Sequence, residues 1–438
     1  MPKALVVGMG KSGKSAYTFL STKGWSVVGT DDSAVVREEL SKNGWNIENN
    51  PSIENFDLIV PSPGIPPSHL LVKKALFLHK PCIGEICLGL ELLSKEHSII
   101  GITGTNGKTT VTLLITHVLN SLGYPARAVG NIGEPFTSYA LQPVKGEILV
   151  AEISSYQLEP FYKTTERQEE YLDVALLLNI SPDHLDWHGS LEAYAQSKFS
   201  IQNWVKKEGS FYINLKTLQE HSAFFVPKRD LFTWGSIPGA YWWVDKERMK
   251  KGEEIELEFP PFLQNQGMHD RENILAAWIA VQKWGIKPED FLQALSTFKK
   301  PVCRIEFVEE IEGVRYVDDS KGTNIDATIQ AVKSMEGNVI LIAGGVHKGA
   351  SYKEWIEVFK NKVETIIAIG EAASLIEQDL SQQLKVERAI SLEEAVIKAH
   401  SLAKRGQSVL LSPGCASFDM FKNFEDRGLQ FKAGVDAL

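Results

Sequence analysis

Residues 99–110, IIGITGTNGKTT, restrict the possible folds of this chain more than any other stretch. An apolar, β-branched run ends in a glycine-rich turn. The turn delivers a lysine and a threonine to the start of an apolar-periodic segment, residues 109–122, that reads as a helix. Strand, tight turn and helix in that order aim successive backbone N–H groups and the positive end of a helix dipole at one point, which is a cradle for phosphate oxygens. Lys108 adds a point charge, and the Thr109 hydroxyl is suited to Mg²⁺. The spacing is a variant: G-x-x-x-x-G-K-[ST] would need glycine at Ile102, whereas the chain has Gly101, Gly104 and Gly107.

The rest of the chain alternates strands and helices around that element. Length, 438 residues, suggests about three domains. In residues 1–92, KALVVGMGKSGKS sets Gly8, Gly10 and Gly13 between a strand and a helix, and a second strand, 25–30, ends in Asp31 and Asp32. The pattern favours a dinucleotide-type loop, with a plain βαβ turn as the alternative. A third strand, 56–60, runs into Pro61-Ser62-Pro63-Gly64, at the strand end where open α/β sheets hold ligands. Residues 93–299 continue with strands at 98–103, 147–153, 173–180 and 210–214, a mostly parallel sheet with both faces covered.

Polar residues cluster at the ends of those strands. Glu152 closes ILVAE and could hold Mg²⁺ or cap a helix. His184 in SPDHLDWHG and Lys198 on a helix over 191–206 would, alone, be a turn histidine and a solvated lysine. Residues 234–262 read as short strands of peripheral structure. GMHDREN (267–273) starts a helix reaching Gln282, with Asp270 as N-cap. From residue 300 a hairpin over 302–317, centred on Glu312-Gly313, precedes DDSKGTN (318–324) and the strands VILIAGG, TIIAIG and VLLSPG, a second doubly wound sheet.

Composition narrows the function classes. A net charge of −9 argues against a nucleic-acid binder. No apolar run approaches the roughly 20 residues of a spanning helix. Lys3 leads directly into a strand without an apolar leader, so a cytoplasmic location is expected. Cys82, Cys87, Cys303 and Cys415 have no metal-ligand spacing and read as reduced thiols.

GTNGKTT (104–110), GNIG (130–133), EISSYQLE (152–159), SPDHLDWHGSLEAYAQSK (181–198), CRIE (303–306), DDSKGTN (318–324) and LLSPGCASFDMFKNFEDRG (410–428) occur in one order. Together they resemble the Mur ligase family of ATP-dependent peptide-bond-forming enzymes, over essentially the whole chain. The CAS-FD-FKNFE form of the last motif is similar to the D-glutamate-adding branch, and no DNPR motif is present. The resemblance implies three α/β domains: a Rossmann-like UDP-substrate domain (1–92), a P-loop ATPase-type parallel sheet domain (93–299) and a Rossmann-like amino-acid-binding domain (300–438). It implies ATP and two Mg²⁺ as cofactors and a ligase, expected as a monomer. That ligase joins D-glutamate to UDP-N-acetylmuramoyl-L-alanine through an acyl phosphate, in peptidoglycan precursor synthesis.

Carried over residue by residue, Gly104, Thr105, Asn106, Gly107, Lys108, Thr109 and Thr110 would hold the ATP phosphates. Asn273 would meet adenine, Arg304 the γ-phosphate and Asp319 the ribose. Thr109 and Glu152 would bind one Mg²⁺, and His184 a second with Lys198, which in this family is carbamylated. Lys108, Glu152, His184 and Lys198 are thus the expected catalytic set. Ser12, Asp31, Asp32, Ser62, Pro63, Gly64 and Asn131 correspond to the UDP-substrate pocket, and Thr323, Lys348, Ser417 and Phe424 to the D-glutamate pocket. The chain departs from the family pattern at Asp270 (an asparagine elsewhere), Cys303 (a histidine) and His347 (an aspartate beside the lysine). Alternatives are another muramoyl-peptide or folylpolyglutamate-type ligase, a nicotinamide-dependent oxidoreductase built on GMGKSGKS, and a nucleotide-binding switch without ligase activity.

Overall fold

The strand under the loop is Ile99–Thr103, buried along its whole length, and the helix after it is Lys108–Ser121. A computed structural model describes residues 1–158, 170–226, 231–264 and 266–438. They form two units, residues 1–180 with 195–298 and residues 181–194 with 299–438.

The first unit contains two sheets. Lys3–Val7 lies between Ser26–Thr30 and Leu58–Pro61, all parallel. The larger sheet has nine strands in the order Ala126–Gly130, Ile148–Glu152, Ile99–Thr103, Leu172–Leu177, Val205–Asn214, Leu231–Gly235, Trp242–Val244, Arg248–Lys251 and Glu254–Glu258. Its first seven are parallel and the last two antiparallel. Strands buried on both faces read as unbroken apolar runs, which is why Ile99–Thr103 and Ile148–Glu152 were evident in the sequence. Helix Lys108–Ser121 buries Val111, Leu114, Ile115, Val118 and Leu119 against this sheet and against helix Met268–Val281.

Four expectations needed revision. Asp270, expected as the N-cap of its helix, lies in the first turn of Met268–Val281, whose N-cap is Gly267. The segment over 234–262 is not peripheral: Trp234, Trp242, Met249 and Leu257 belong to the same core cluster as the loop helix, because the sheet runs on through them. The helix expected over 191–206 is Leu191–Phe199, followed by a 3₁₀ turn, Ser200–Trp204, and a long strand from Val205. Ala126–Gly130 is an additional strand, hidden in the sequence by Arg127, whose guanidinium leaves the sheet to pair with Glu147 at 3.0 Å.

The second unit has six strands in the order Glu306–Ile311, Val314–Asp318, Ser408–Leu411, Val339–Gly344, Val363–Ile369 and Val386–Arg388. Only the first pair is antiparallel, and it is the expected hairpin, turning at Glu312 and Gly313, both at positive φ.

Candidate active site

Gly107 enters helix Lys108–Ser121 in the left-handed conformation, φ +87°, and a Cβ there would lie 2.5 Å from Asn273 Oδ1. Glycine is required on both counts. Asn179, beyond the strand Leu172–Leu177, clamps the loop: its carbonyl accepts from Thr105 N–H (2.8 Å), its Oδ1 accepts from Asn106 N–H (2.8 Å), and its Nδ2 donates to Asn106 O (3.0 Å). Lys108 Nζ folds back to donate to the carbonyls of Gly104 (2.7 Å) and Thr105 (2.8 Å). Lys198 Nζ, on a side chain only 1% exposed, donates to the same Gly104 carbonyl at 2.7 Å. Two ammonium groups therefore converge on one carbonyl of the cradle. Buried charge of one sign beside a helix N-terminus suits a polyanion. Thr105, Thr109, Thr110 and Asn273 are buried around it.

Glu152, 2% exposed, ends the neighbouring strand. Its Oε1 accepts from Asn131 Nδ2 at 2.7 Å, and its Oε2 has no hydrogen-bond partner among the described residues. A buried carboxylate oxygen left without a donor is costly unless something else meets it, and a hard cation is the chemistry that fits. Asn131, expected at the sugar-nucleotide end, thus also orients the carboxylate. Glu159, the last residue of the EISSYQLE motif, lies outside the described residues.

A cavity of about 400 Å³ in the same unit is lined by Ser12, Ser62, Pro63, Gly64 and Asn131, five of the seven residues expected at the UDP-substrate pocket, and by Gln157, which the sequence did not mark. Asp31 instead turns into the loop, accepting from Met9 N–H (2.7 Å) and Ser33 N–H (3.0 Å). Asp32 is exposed and sits 3.2 Å from His69 Nε2. Gly13 is required by close approach, since a Cβ would fall 1.9 Å from Gly8 O.

In the second unit the hub is Asp183, which sequence reasoning passed over beside His184. Its Oδ1 accepts from Lys348 Nζ and from His184 N–H, each at 3.0 Å, and its Oδ2 from Asn324 Nδ2 at 3.3 Å. Lys348 also reaches Thr323 Oγ1 at 3.4 Å. The carboxylate missing beside Lys348 is therefore supplied from 165 residues away, while His347 turns to the Tyr352 hydroxyl, 3.2 Å from its Nδ1. His184 stands at φ +53°, its Nε2 3.6 Å from Asp183 Oδ2. A bridge between Val346 and Ala416 brings the segment before Lys348 beside that of buried Ser417, and Lys321 Nζ lies 4.8 Å over the Phe424 ring. Asp319 is buried. Burial pushes its carboxyl up to about 7, against the Ser412 hydroxyl (2.7 Å), the Arg304 charge and the Ile305 N–H, which favour the ionised form.

Known families match this arrangement. The Mur ligase middle domain matches residues 102–281, and the Mur ligase glutamate ligase domain matches residues 303–415. A relative from Protochlamydia amoebophila, named UDP-N-acetylmuramoylalanine--D-glutamate ligase, is 46% identical over 100% of this chain and 98% of its own length.

The chain belongs to the Mur ligase family.

A second relative with the same name, from Chlamydia pneumoniae, is 36% identical over 98% of this chain and 97% of that protein. Solved Mur ligases share the fold. UDP-N-acetylmuramate-alanine ligase MurC of Thermotoga maritima matches with a TM-score of 0.62 at 17% identity, covering 100% of both chains. MurF ligase of the same organism, in complex with ADP, has a TM-score of 0.62 at 17% identity over 100% of this chain and 95% of its own. Mur ligases are ATP-dependent ligases, and this chain is one. Among the described residues no helix is long and apolar enough to cross a membrane.

Proposed function

We propose that this Mur ligase joins D-glutamate to the alanyl carboxylate of UDP-N-acetylmuramoyl-L-alanine at the expense of ATP, as a cytoplasmic monomer with domains 1–92, 93–299 and 300–438. The observation that carries the chemistry is Lys108, folded onto the Gly104 and Thr105 carbonyls at the N-terminus of helix Lys108–Ser121. The full-length likeness to relatives named D-glutamate ligases supports the acceptor.

Lys108 and the helix N-terminus hold the ATP phosphates and offset the charge that spreads over them as the alanyl carboxylate attacks the γ-phosphate. Arg304 adds a second cation at the γ-phosphate, Asp319 takes the ribose and Asn273 the adenine. Thr109 and Glu152 would hold one Mg²⁺, for which the unpartnered Oε2 is the fitting donor, and His184 with a carbamylated Lys198 a second. Mg²⁺ bound there supplies charge neutralisation of the phosphates. An unmodified Lys198 is a donor, so only its carbamate could serve a cation. The P–O bond to ADP breaks as the acyl phosphate forms. The neutral amine of D-glutamate then attacks its carbonyl carbon, losing a proton and expelling inorganic phosphate to leave the amide, with the D-glutamate carboxylates at Lys348, Thr323 and Ser417. The fixed orientation of Lys348 on Asp183 leaves a positioned cation for that acid. The sugar nucleotide occupies the cavity lined by Ser12, Ser62 and Asn131.

The test is phosphate release from ATP and Mg²⁺ with UDP-N-acetylmuramoyl-L-alanine, comparing D-glutamate, L-glutamate, meso-diaminopimelate and no amino acid, with the product mass measured. Release with an amide product only for D-glutamate is expected. Turnover with a different amino acid would move the acceptor assignment and leave the ligase chemistry standing. Nucleotide binding without any amide product would remove both.

A further inference from the structure

Arg304 is flanked on both sides by non-glycine residues in the left-handed region, Cys303 at φ +60° and Ile305 at φ +47°. For a β-branched residue this is an outlier conformation, which persists only where its surroundings over-determine it. Here they do. Cys303 N–H donates to Glu306 Oε2 at 2.8 Å, Cys303 O accepts from Lys321 N–H at 3.1 Å, and the Ile305 N–H meets the Asp319 carboxylate. The left-handed turn is what aims that N–H at Asp319 with the Arg304 charge beside it.

The turn has an electrostatic problem. The hairpin register sets Glu306 opposite Asp318, and like charges directly across a pair of strands repel. Cys303 Sγ, a Glu306 oxygen and an Asp318 oxygen lie within 4.8 Å of one another, the grouping a metal ion could use. A cation is already there. Lys432, from the last helix Phe424–Asp436, places Nζ 2.8 Å from Glu306 Oε1 and 3.9 Å from Asp318 Oδ2, with the side chains of Lys432 and Glu306 27% and 33% exposed. Burial alone would lower the Lys432 pKa, yet its hydrogen bond to Glu306 carries it above the usual lysine value.

We propose that Glu306 and Lys432 are positioning residues for the nucleotide: their ion pair holds the 303–306 turn in its left-handed form so that Arg304 and Asp319 are presented together to ATP. This rests on the reading of Arg304 and Asp319 as nucleotide-binding. Lys432 touches neither ATP nor the acceptor in this scheme, so its loss shows in nucleotide affinity alone.

The experiment measures ADP–Mg²⁺ affinity of the full chain by calorimetry, and the KM of all three substrates with kcat, for Lys432→Met, Glu306→Gln, Lys432→Arg and Arg304→Ala. The expected result is that Lys432→Met weakens ADP and raises the KM for ATP roughly tenfold, the scale of one charge-assisted contact misplaced. The KM values for the sugar nucleotide and the amino acid stay unchanged, and Lys432→Arg restores ADP affinity. Should Lys432→Met not fold, Glu306→Gln, which keeps the acceptor for Cys303 N–H, reads the same effect. Unaltered ADP affinity in Lys432→Met and Glu306→Gln, with weakened affinity in Arg304→Ala, overturns the positioning role. Unaltered affinity in Arg304→Ala as well overturns the nucleotide reading of the turn, and the positioning role with it.

Discussion

Residues 8–13 and 104–109 are both glycine loops joining a buried parallel strand to a helix, and they are wired to opposite charges. In the first, a carboxylate closes the loop: Asp31 takes the Met9 N–H, and Lys11 leaves to donate to Gly133 O at an exposed position. In the second, a neutral amide closes it, through Asn179, and two lysines fold inward onto the Gly104 carbonyl, one of them almost fully buried. Glycines give both loops their shape. What surrounds the shape decides whether the loop can carry phosphoryl chemistry or only hold a ligand, because a charge removed from water acts with far less screening than one at the surface.

The sharpest break of this contrast is Lys108→Ala. It should lower kcat by about 10³, the scale of one preorganised charge lost from a phosphoryl-transfer site. Sugar-nucleotide affinity, measured by calorimetry, should stay unchanged. A loss of sugar-nucleotide binding of similar size would mean that the two loops do not work separately. Glu152→Gln comes next. The amide keeps the shape but removes the anionic oxygen that has no partner among the described residues, so turnover should fall by about 10² and the Mg²⁺ needed for half-maximal rate should rise. If the Mg²⁺ requirement is unmoved, the carboxylate is not a metal ligand.

The strand, turn and helix of the second loop were legible because an unbroken apolar run, three glycines and an apolar-periodic segment follow one another within 24 residues of chain, and each signal is local. The hairpin at Glu312-Gly313 was legible for the same reason. What escaped is long-range. Nothing near Lys198 in sequence says that it is buried against Gly104, 94 residues away, and nothing near Asn179 says that it clamps Asn106. Asp183 was overlooked for the same cause, its partner Lys348 lying in a different part of the chain. The strands from Leu231 to Glu258 misled because short alternating pieces with charges look like an exposed edge, whereas their inward tryptophans complete the core.

A steric test sharpens the shape half of the comparison. Gly13→Ala must push a methyl group into Gly8 O, an approach of 1.9 Å on the present backbone, whereas a Cβ on Gly10 meets nothing within 4 Å. Overpacking of this kind costs about 1–3 kcal/mol. Gly13→Ala should therefore lower the melting temperature and weaken sugar-nucleotide binding, and Gly10→Ala should leave the melting temperature close to that of the parent. Equal effects from the two alanines would show that the first loop relaxes freely and that its glycines are not shaping a site.

The smallest effect is expected from Lys11→Ala. Lys11 lines the cavity, yet its ammonium is exposed and its hydrogen bond to Gly133 O can be replaced by water at little cost, so an attractive term of only about 0–1 kcal/mol is at stake. The KM for the sugar nucleotide should rise a few-fold at low salt, and the difference should shrink as salt is added, since the charge is screened within about 8–10 Å at physiological ionic strength. Lys108→Ala should show no comparable salt dependence, because its ammonium is held inside the loop. A pair of salt titrations thus separates a lysine that attracts a ligand from one that takes part in the reaction. If Lys11→Ala instead costs as much as Lys108→Ala and does so at every salt concentration, the first loop also acts on reacting groups, and the distinction drawn from Asp31 and Asn179 does not hold.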